Sequence, residues 1–425
     1  MKSFMQHSVV FLLILLCNSF CVQAQDTIRI SLPEAEKLFA QQNLAVLAEK
    51  YNIEIARAQV IQAKLYNNPN LSVVGDLYNP QLKKPLDISD KTGEYIISVQ
   101  QLIRLAGKRN KEIKLAEAGI RISENKFFDL LRTLRFSLSS NFFELYYLQH
   151  TSTVYDRQIS SLEKMDLAYQ QLQARGVVTL KDAVRIRSLL YSLRSEQTSL
   201  LNQVNDLQAE MQLLLHNNKA YFIATADSSN DPVALLKRIS LQGLIDTAYA
   251  NRYDLKLAES NIVYSEQNYK LQKALATPDL TAGAQFDKRG SFVDNASFFT
   301  LAMDLPFFHR NQGNIRAAKI NIDQSKILLT QQKASIENQV QRAYQKALTS
   351  DRLLQSVDPG FNAQFDKLLQ GVTDNFLKKN ISLIEFTDFF GSYKDNVLQY
   401  NRLQNDRMQA IEALEFAVGK NLFTN

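Results

Sequence analysis

One block of this chain occurs twice without a gap. Ser31-Leu32 through Pro69-Asn70-Leu71 recurs as Ser240-Leu241 through Pro278-Asp279-Leu280, and both ends give one offset (240 − 31 = 278 − 69 = 209). An ungapped duplication over roughly forty residues means two copies of one structural unit. Each copy runs from a helical pattern into a proline, then through two short alternating stretches into a very long helical pattern. The 425 residues therefore read as two interleaved halves of one body.

Hydrophobic content of 45% and a mean hydropathy of −0.22 fit a chain without membrane-spanning helices. Val9 to Leu16 is the one stretch apolar enough to enter a bilayer, with Lys2 before it and Val22-Gln23-Ala24 after it. That order predicts a cleaved signal peptide over residues 1–24. Both cysteines, Cys17 and Cys21, fall inside it, and neither follows the small residue that lipid attachment requires. The mature chain is then expected to have neither cysteine nor lipid, which excludes disulfides and thiol chemistry.

Charge narrows the function classes further. The net charge of +6 comes from 49 basic against 43 acidic residues, and no basic run with interleaved aromatics is present. Nucleic acid is therefore not an expected partner. No phosphate loop, nucleophile elbow or zincin motif occurs, and His150, His216 and His309 stand singly. We expect no catalytic residues, no metal site and no cofactor.

From Ser31 to Tyr66 the apolar positions keep helical spacing, with Ser31 as N-cap and Pro33 in the first turn, until Asn68-Pro69 stops them. The period then changes to two. Strands are expected at about 70–79 and 94–102 in the first copy, and at about 279–288 and 297–306 in the second. Each has one apolar and one mostly polar face and is long enough, when tilted, to cross an outer membrane.

Long helices are expected at about 107–174 and 180–216, and again at about 312–378 and 383–419. The first would reach about 100 Å at 1.5 Å per residue. Leu193, Leu200, Leu207 and Leu214 stand seven apart, as do Phe386, Tyr393 and Tyr400, so the helices should fold back as antiparallel coiled-coil pairs. Gly176 and Asn380 are the residue types that accept a left-handed conformation at the two turns. Asp358-Pro359-Gly360 predicts a break in the second long helix. The repeats thus span residues 25–216 and 240–425, with a polar linker at 217–239.

Four strands cannot close in lipid, because the edge strands would leave backbone groups unpaired at several kcal/mol each. Three chains would supply twelve strands, enough for a barrel with an aqueous lumen. A homotrimer is therefore expected, mainly α, with a 12-stranded β-barrel.

Two junctions sharpen this: Leu105-Ala106-Gly107-Lys108-Arg109 after one strand pair, and Pro306-Phe307-Phe308-His309-Arg310-Asn311-Gln312-Gly313 after the other. With the duplicated helix-strand-strand-helix order and the paired tips, the mature chain resembles the TolC-type outer-membrane efflux family. It is most similar to the cobalt-zinc-cadmium type channels of tripartite pumps. The resemblance implies a long α-helical barrel continuing the β-barrel, an outer membrane location reaching into the periplasm, and a passive duct for small solutes such as metal cations or drugs.

The resemblance also implies partners and sites. A periplasmic adaptor would dock at Arg175, Gly176, Val177, Val178, Thr179 and Leu180 and at Asn380, Ile381, Ser382 and Leu383, and would couple the duct to an inner-membrane transporter of the RND class. Acidic rings at the periplasmic entrance would fall on Glu385 and Asp388, which share a helix face, with Asp182 at the position of an acidic partner across the hairpins. The basic residue some members place in the second tip would fall on Ile381. Lys108, Arg109 and Lys111 begin a helix, where cations oppose the macrodipole, so either contact with inner-leaflet lipid phosphates or plain solubility is expected of them. Two other readings share these features in part: the outer-membrane component of a type I protein secretion system, and a periplasmic coiled-coil scaffold without a pore.

Overall fold

A computed structural model describes residues 26–422 apart from 81, 90, 226–238, 290–292 and 359–360. The expected signal peptide lies outside them, as do Pro359 and Gly360 of the expected helix break. The chain divides into two compact units, one formed by residues 45–133, 237–345 and 414–425, the other by residues 1–44, 134–236 and 346–413.

The first unit holds a four-stranded antiparallel sheet in the order β2 (Asn70–Gly75), β5 (Tyr95–Ile103), β7 (Leu280–Arg289), β8 (Asp294–Met303). The second strand of the first copy thus pairs with the first strand of the second copy. A small hairpin, β3 (Tyr78–Asn79) and β4 (Lys84–Pro85), stands in the loop between β2 and β5. Register places Val73 beside Ile97 and Ile97 beside Phe286, and Val99 beside Ala284 and Ala284 beside Phe299. One face therefore carries Leu71, Val73, Ile97, Val99, Ala284, Phe299, Leu301 and Met303, with Gln101 and Ser297 as polar members. Its apolar members stand open, Leu71 at 66%, Phe299 at 76% and Leu301 at 60% exposure. The other face carries Ser72, Ser98, Gln100, Thr281, Gln285 and Thr300, with Val74, Ile96, Leu102 and Phe298 as apolar members. Gly283 lies there too, and a Cβ on it would meet the Thr300 hydroxyl and the Val99 carbonyl at 2.7 Å each.

Two bounds differ from the sequence reading. The ladder of β2 ends at Gly75, and β8 spans 294–303 where 297–306 was expected. Pro306 has no N–H to donate, so the last part of the expected segment cannot extend a ladder.

The helical stretch expected over 31–66 is two helices, α1 (Leu32–Gln42) and α2 (Leu44–Lys64), and the second copy repeats the break as α5 (Leu241–Asn251) and α6 (Tyr253–Leu275). Asn43 and Arg252 occupy the two breaks, 209 positions apart, and both are buried. Each uses its side chain to end another helix. Asn43 Nδ2 donates to the Leu214 carbonyl at 2.9 Å, and Arg252 Nη1 to the Ala417 carbonyl at 2.9 Å. These carbonyls close α4 (Leu180–Leu214) and α9 (Leu383–Val418), whose last turns otherwise leave acceptors without partners. Periodicity misses such breaks because the apolar spacing runs on through them.

In the second unit, α3 (Lys108–Ala174) and α4 run antiparallel from residue 134 onward. Asn141 bonds Glu210, Asp156 bonds Gln197 and Asp166 bonds Arg187. Leu138, Leu145, Leu162, Ile186 and Met211 fill the seam, fully buried. The long helix expected over 312–378 consists of α7 (Gln312–Gln355) and α8 (Phe361–Leu377). Phe376 of α8 stacks on Phe386 of α9 with centroids 4.4 Å apart, and on Tyr169 of α3 at 5.5 Å. Lys394 of α9 pairs with Glu196 of α4 at 2.9 Å.

Residues 217–239, expected as a polar linker, contain β6 (Ala220–Ala224), which pairs in parallel with β1 (Asp26–Ile30). Alternation explains it: Ala220, Phe222 and Ala224 are buried, while Tyr221 and Ile223 are not.

Candidate functional site

The two hairpin turns are built alike. At the first, Gly176 has φ +72°, its N–H donates to the Gln173 carbonyl at 2.9 Å, and Val177 N–H reaches the Leu172 carbonyl at 2.9 Å. This is a Schellman turn. Thr179 then caps α4: its Oγ1 accepts from Asp182 N–H at 3.2 Å and donates to Asp182 Oδ2 at 2.7 Å.

At the second turn the left-handed residue is Lys379, φ +60°, and not the expected Asn380. Asn380 instead sends its N–H to the Asn375 carbonyl at 2.8 Å, as Val177 does to Leu172. Ser382 caps α9, with Glu385 N–H donating to Ser382 Oγ at 3.2 Å and Ser382 N–H donating to Glu385 Oε2 at 2.7 Å. A reciprocal pair of this kind is a capping box. The backbone N–H and then the hydroxyl of Ser382 hold the Glu385 carboxyl below its usual value.

The correspondence has a constant offset (379 − 176 = 382 − 179 = 385 − 182 = 203). Two of the three acidic residues expected at an entrance, Asp182 and Glu385, therefore sit at one equivalent position and hold their own helix N-termini. Asp388 is exposed and lines an open groove with Thr387, Ile384, Leu189 and Arg185. Sequence reasoning passed over Arg185, although aligning Gly176, Thr179 and Asp182 with Lys379, Ser382 and Glu385 would have found it. Of the other docking candidates, Arg175, Val177, Thr179, Leu180, Asn380 and Ser382 are exposed, and Val178, Ile381 and Leu383 half-buried.

The three cations in the first turn of α3 have partners within the chain. The Lys108 side chain is 4% exposed, and its Nζ lies 2.6 Å from Asp279 Oδ1. Asp279 also accepts the Leu105 N–H at 2.9 Å. Arg109 donates to the Lys64 carbonyl at 2.9 and 2.6 Å and lies 4.0 Å over the Tyr66 ring. Lys111 Nζ donates to the Ala106 carbonyl at 2.5 Å. Ala106 and Gly107 have φ of +55° and +63°, so these contacts brace a tight strand-to-helix turn. The expected lipid role is corrected for Lys108, which is buried in a pair.

Among the described residues no cluster of three or more His, Cys, Asp or Glu could hold a metal. No helix among them is long and apolar enough to cross a membrane.

No protein-family model and no curated protein matches the chain. Solved structures do, and the fold is that of the TolC-type outer-membrane channels. In particular, the chain is similar to CusC, a structure described in terms of transmembrane channel formation, at 16% identity, 92% of each chain and a TM-score of 0.71. It is similar also to the Campylobacter jejuni CmeC outer membrane channel, at 13% identity, 92% of this chain, 86% of that chain and a TM-score of 0.72. A Pseudomonas aeruginosa membrane protein matches at 17% identity, 91% of this chain, 92% of that one and a TM-score of 0.72.

Proposed function

We propose that this chain is the outer-membrane exit duct of a tripartite efflux system, a passive trimeric channel that reaches into the periplasm and is driven by an inner-membrane transporter of the RND class. The observation that carries the reading is the four-stranded sheet, whose apolar face is uncovered and whose outer strands, β2 and β8, each pair on one side only among the described residues. In hydrocarbon such edges require further copies. The likeness to outer-membrane channels supports the same reading.

The internal repeat supplies a template for the contact between copies. Within the chain α3 meets α6 where Asn125 Nδ2 donates to Ser260 at 2.9 Å. Ser260 corresponds to Tyr51 (260 − 209) on α2. First-turn bonds of α3 and α7, Lys111 to Gly107 and Ile315 to Asn311, give an offset of 204 there, which takes Asn125 to Leu329. Tyr51 is 70% exposed and Leu328, beside Leu329, 53%. α2 leads into edge strand β2 and edge strand β8 leads into α7, so one rotation about a threefold axis seals both.

The hairpin turns would receive a periplasmic adaptor, with Val177, Leu180 and Ile384 as exposed apolar contacts. Solute class follows from the inner-membrane partner, and co-purification of that partner separates efflux from type I secretion. The reading is tested by detergent extraction, oligomer size and planar-bilayer conductance, with Tyr51→Cys combined with Leu328→Cys or Leu329→Cys as the seam probe. A detergent-requiring trimer that conducts ions and crosslinks between chains is expected. Freely water-soluble monomer, or a scaffold without conductance, refutes it.

A further inference from the structure

Helices α4 and α9 start alike, so residues at equal distance from their caps leave on the same face. Three residues past Thr179 and Ser382 stand Asp182 and Glu385, held in the caps. One helical step further the equivalent pair is Arg185 and Asp388 (388 − 185 = 203). Whichever face Asp388 presents to a bore, Arg185 presents as well. Both are exposed, and both line one groove with Leu189, Ile384 and Thr387.

We propose that the periplasmic entrance carries an alternating ring of Arg185 guanidiniums and Asp388 carboxylates, near neutral in sum, in place of a purely acidic cation filter. The proposal rests on the trimeric-duct reading. In a threefold assembly each Arg185 stands between the Asp388 of its own chain and that of the next. Charge of both signs at a narrow aperture cancels the ring's long-range field, since opposite unit charges separated by less than a Debye length of about 8 Å largely offset one another. The ring would therefore admit anionic and cationic solutes alike, and leave the choice of solute to the inner-membrane partner.

The test is the reversal potential of the full-length channel in planar bilayers under a KCl gradient at low ionic strength. Four proteins are compared: the unaltered chain, Arg185→Gln, Asp388→Asn, and both together. Arg185→Gln is expected to raise the potassium-to-chloride permeability ratio about twofold or more, Asp388→Asn to lower it by a similar factor, and the double variant to return close to the starting value. All shifts should shrink in 1 M salt, where the screening length is about 3 Å. Both side chains are exposed and both replacements keep helix-compatible residues, and far-UV circular dichroism checks the fold of each.

If Asp388→Asn lowers the ratio while Arg185→Gln leaves it unchanged, the entrance is acidic and the alternation is refuted, with the duct reading intact. If neither variant shifts the ratio, the charges do not border the aperture and the proposal fails in the same way. Absence of conductance in the unaltered protein overturns the duct reading, and the ring with it.

Discussion

Arg252→Ala should be among the most damaging single changes in this chain. The side chain is 2% exposed, and its guanidinium donates to Asp254 through Nε and Nη2 and to both Gln339 Oε1 and the Ala417 carbonyl through Nη1. Truncation leaves Asp254, itself 17% exposed, with Gln332 at 2.7 Å, the Leu255 N–H at 3.0 Å and Arg132 at 3.7 Å. Removing one member of a buried pair costs about 3–5 kcal/mol, mostly because the remaining charge stays buried. The equivalent change Asn43→Ala removes a neutral donor from the Leu214 carbonyl and should cost only about 1–2 kcal/mol.

Acid supplies an internal check. Burial opposes ionisation of Asp254, but the bonds and charge of Arg252, with Arg132 behind, outweigh it and hold its carboxyl below the usual aspartate range. A carboxyl depressed in the folded state contributes stability above its unfolded value, and that contribution is lost as pH falls through the folded value. Without Arg252 burial prevails and the carboxyl moves up. The stability curves of the two proteins should therefore lie furthest apart near pH 7 and draw together as the pH falls through the depressed value of the folded carboxyl. Guanidinium unfolding of the detergent-solubilised chain, followed by circular dichroism across pH, measures both curves. A penalty below about 1 kcal/mol at pH 7, or one no larger than that of Asn43→Ala, would refute the reasoning.

Three further changes probe the remaining structure. Lys108→Met should destabilise by about 2–3 kcal/mol by stranding Asp279, and Asp279→Asn in the same chain should recover much of it; additive losses in denaturant titration would mean the pair is uncoupled. Gly283→Val forces a side chain against Thr300 and the Val99 backbone and should abolish assembly of the membrane form, seen as loss of the detergent-stable oligomer, whereas Gly119→Ala, with nothing within 4 Å, should be silent. Lys379→Gly relieves a left-handed backbone and should stabilise the second hairpin by about 0.5–1 kcal/mol, read as slower amide exchange around residues 376–386; faster exchange would count against the assigned turn.

Much of the fold is legible in the sequence because two patterns dominate it. Alternation after Pro69 and Pro278 marks strands, and a run from Lys108 to Ala174 with no proline and a single glycine, Gly119, marks one long helix. What escapes is whatever depends on distant contacts. Asn43 and Arg252 look like ordinary helix residues until the carbonyls of Leu214 and Ala417 come beside them. Lys379 takes the left-handed position because the turn must close where Gly176 closes the other, and a preference for Asn at such sites pointed one residue too far. Glu385 reads as free charge on a helix face, and only the position of Ser382 shows it engaged in a cap. Lys108 reads as a surface cation because its partner, Asp279, lies in the other copy of the repeat.

The parallel sheet of β1 and β6 sets a timetable for maturation. Asp26 waits for Ala220, 194 positions later (220 − 26), before the parallel ladder can form. Parallel pairing across such a separation is slow. Once formed, the ladder is fenced by glutamine amides: Gln208 exchanges bonds with both backbone groups of Phe222, Gln149 takes the Ala224 N–H, and Gln212 reaches the Ala220 carbonyl. Those amides occupy places that a stray strand from another nascent chain would need. The leading end of the polypeptide is thereby stitched down late, and then protected from mispairing by side chains drawn from two different helices.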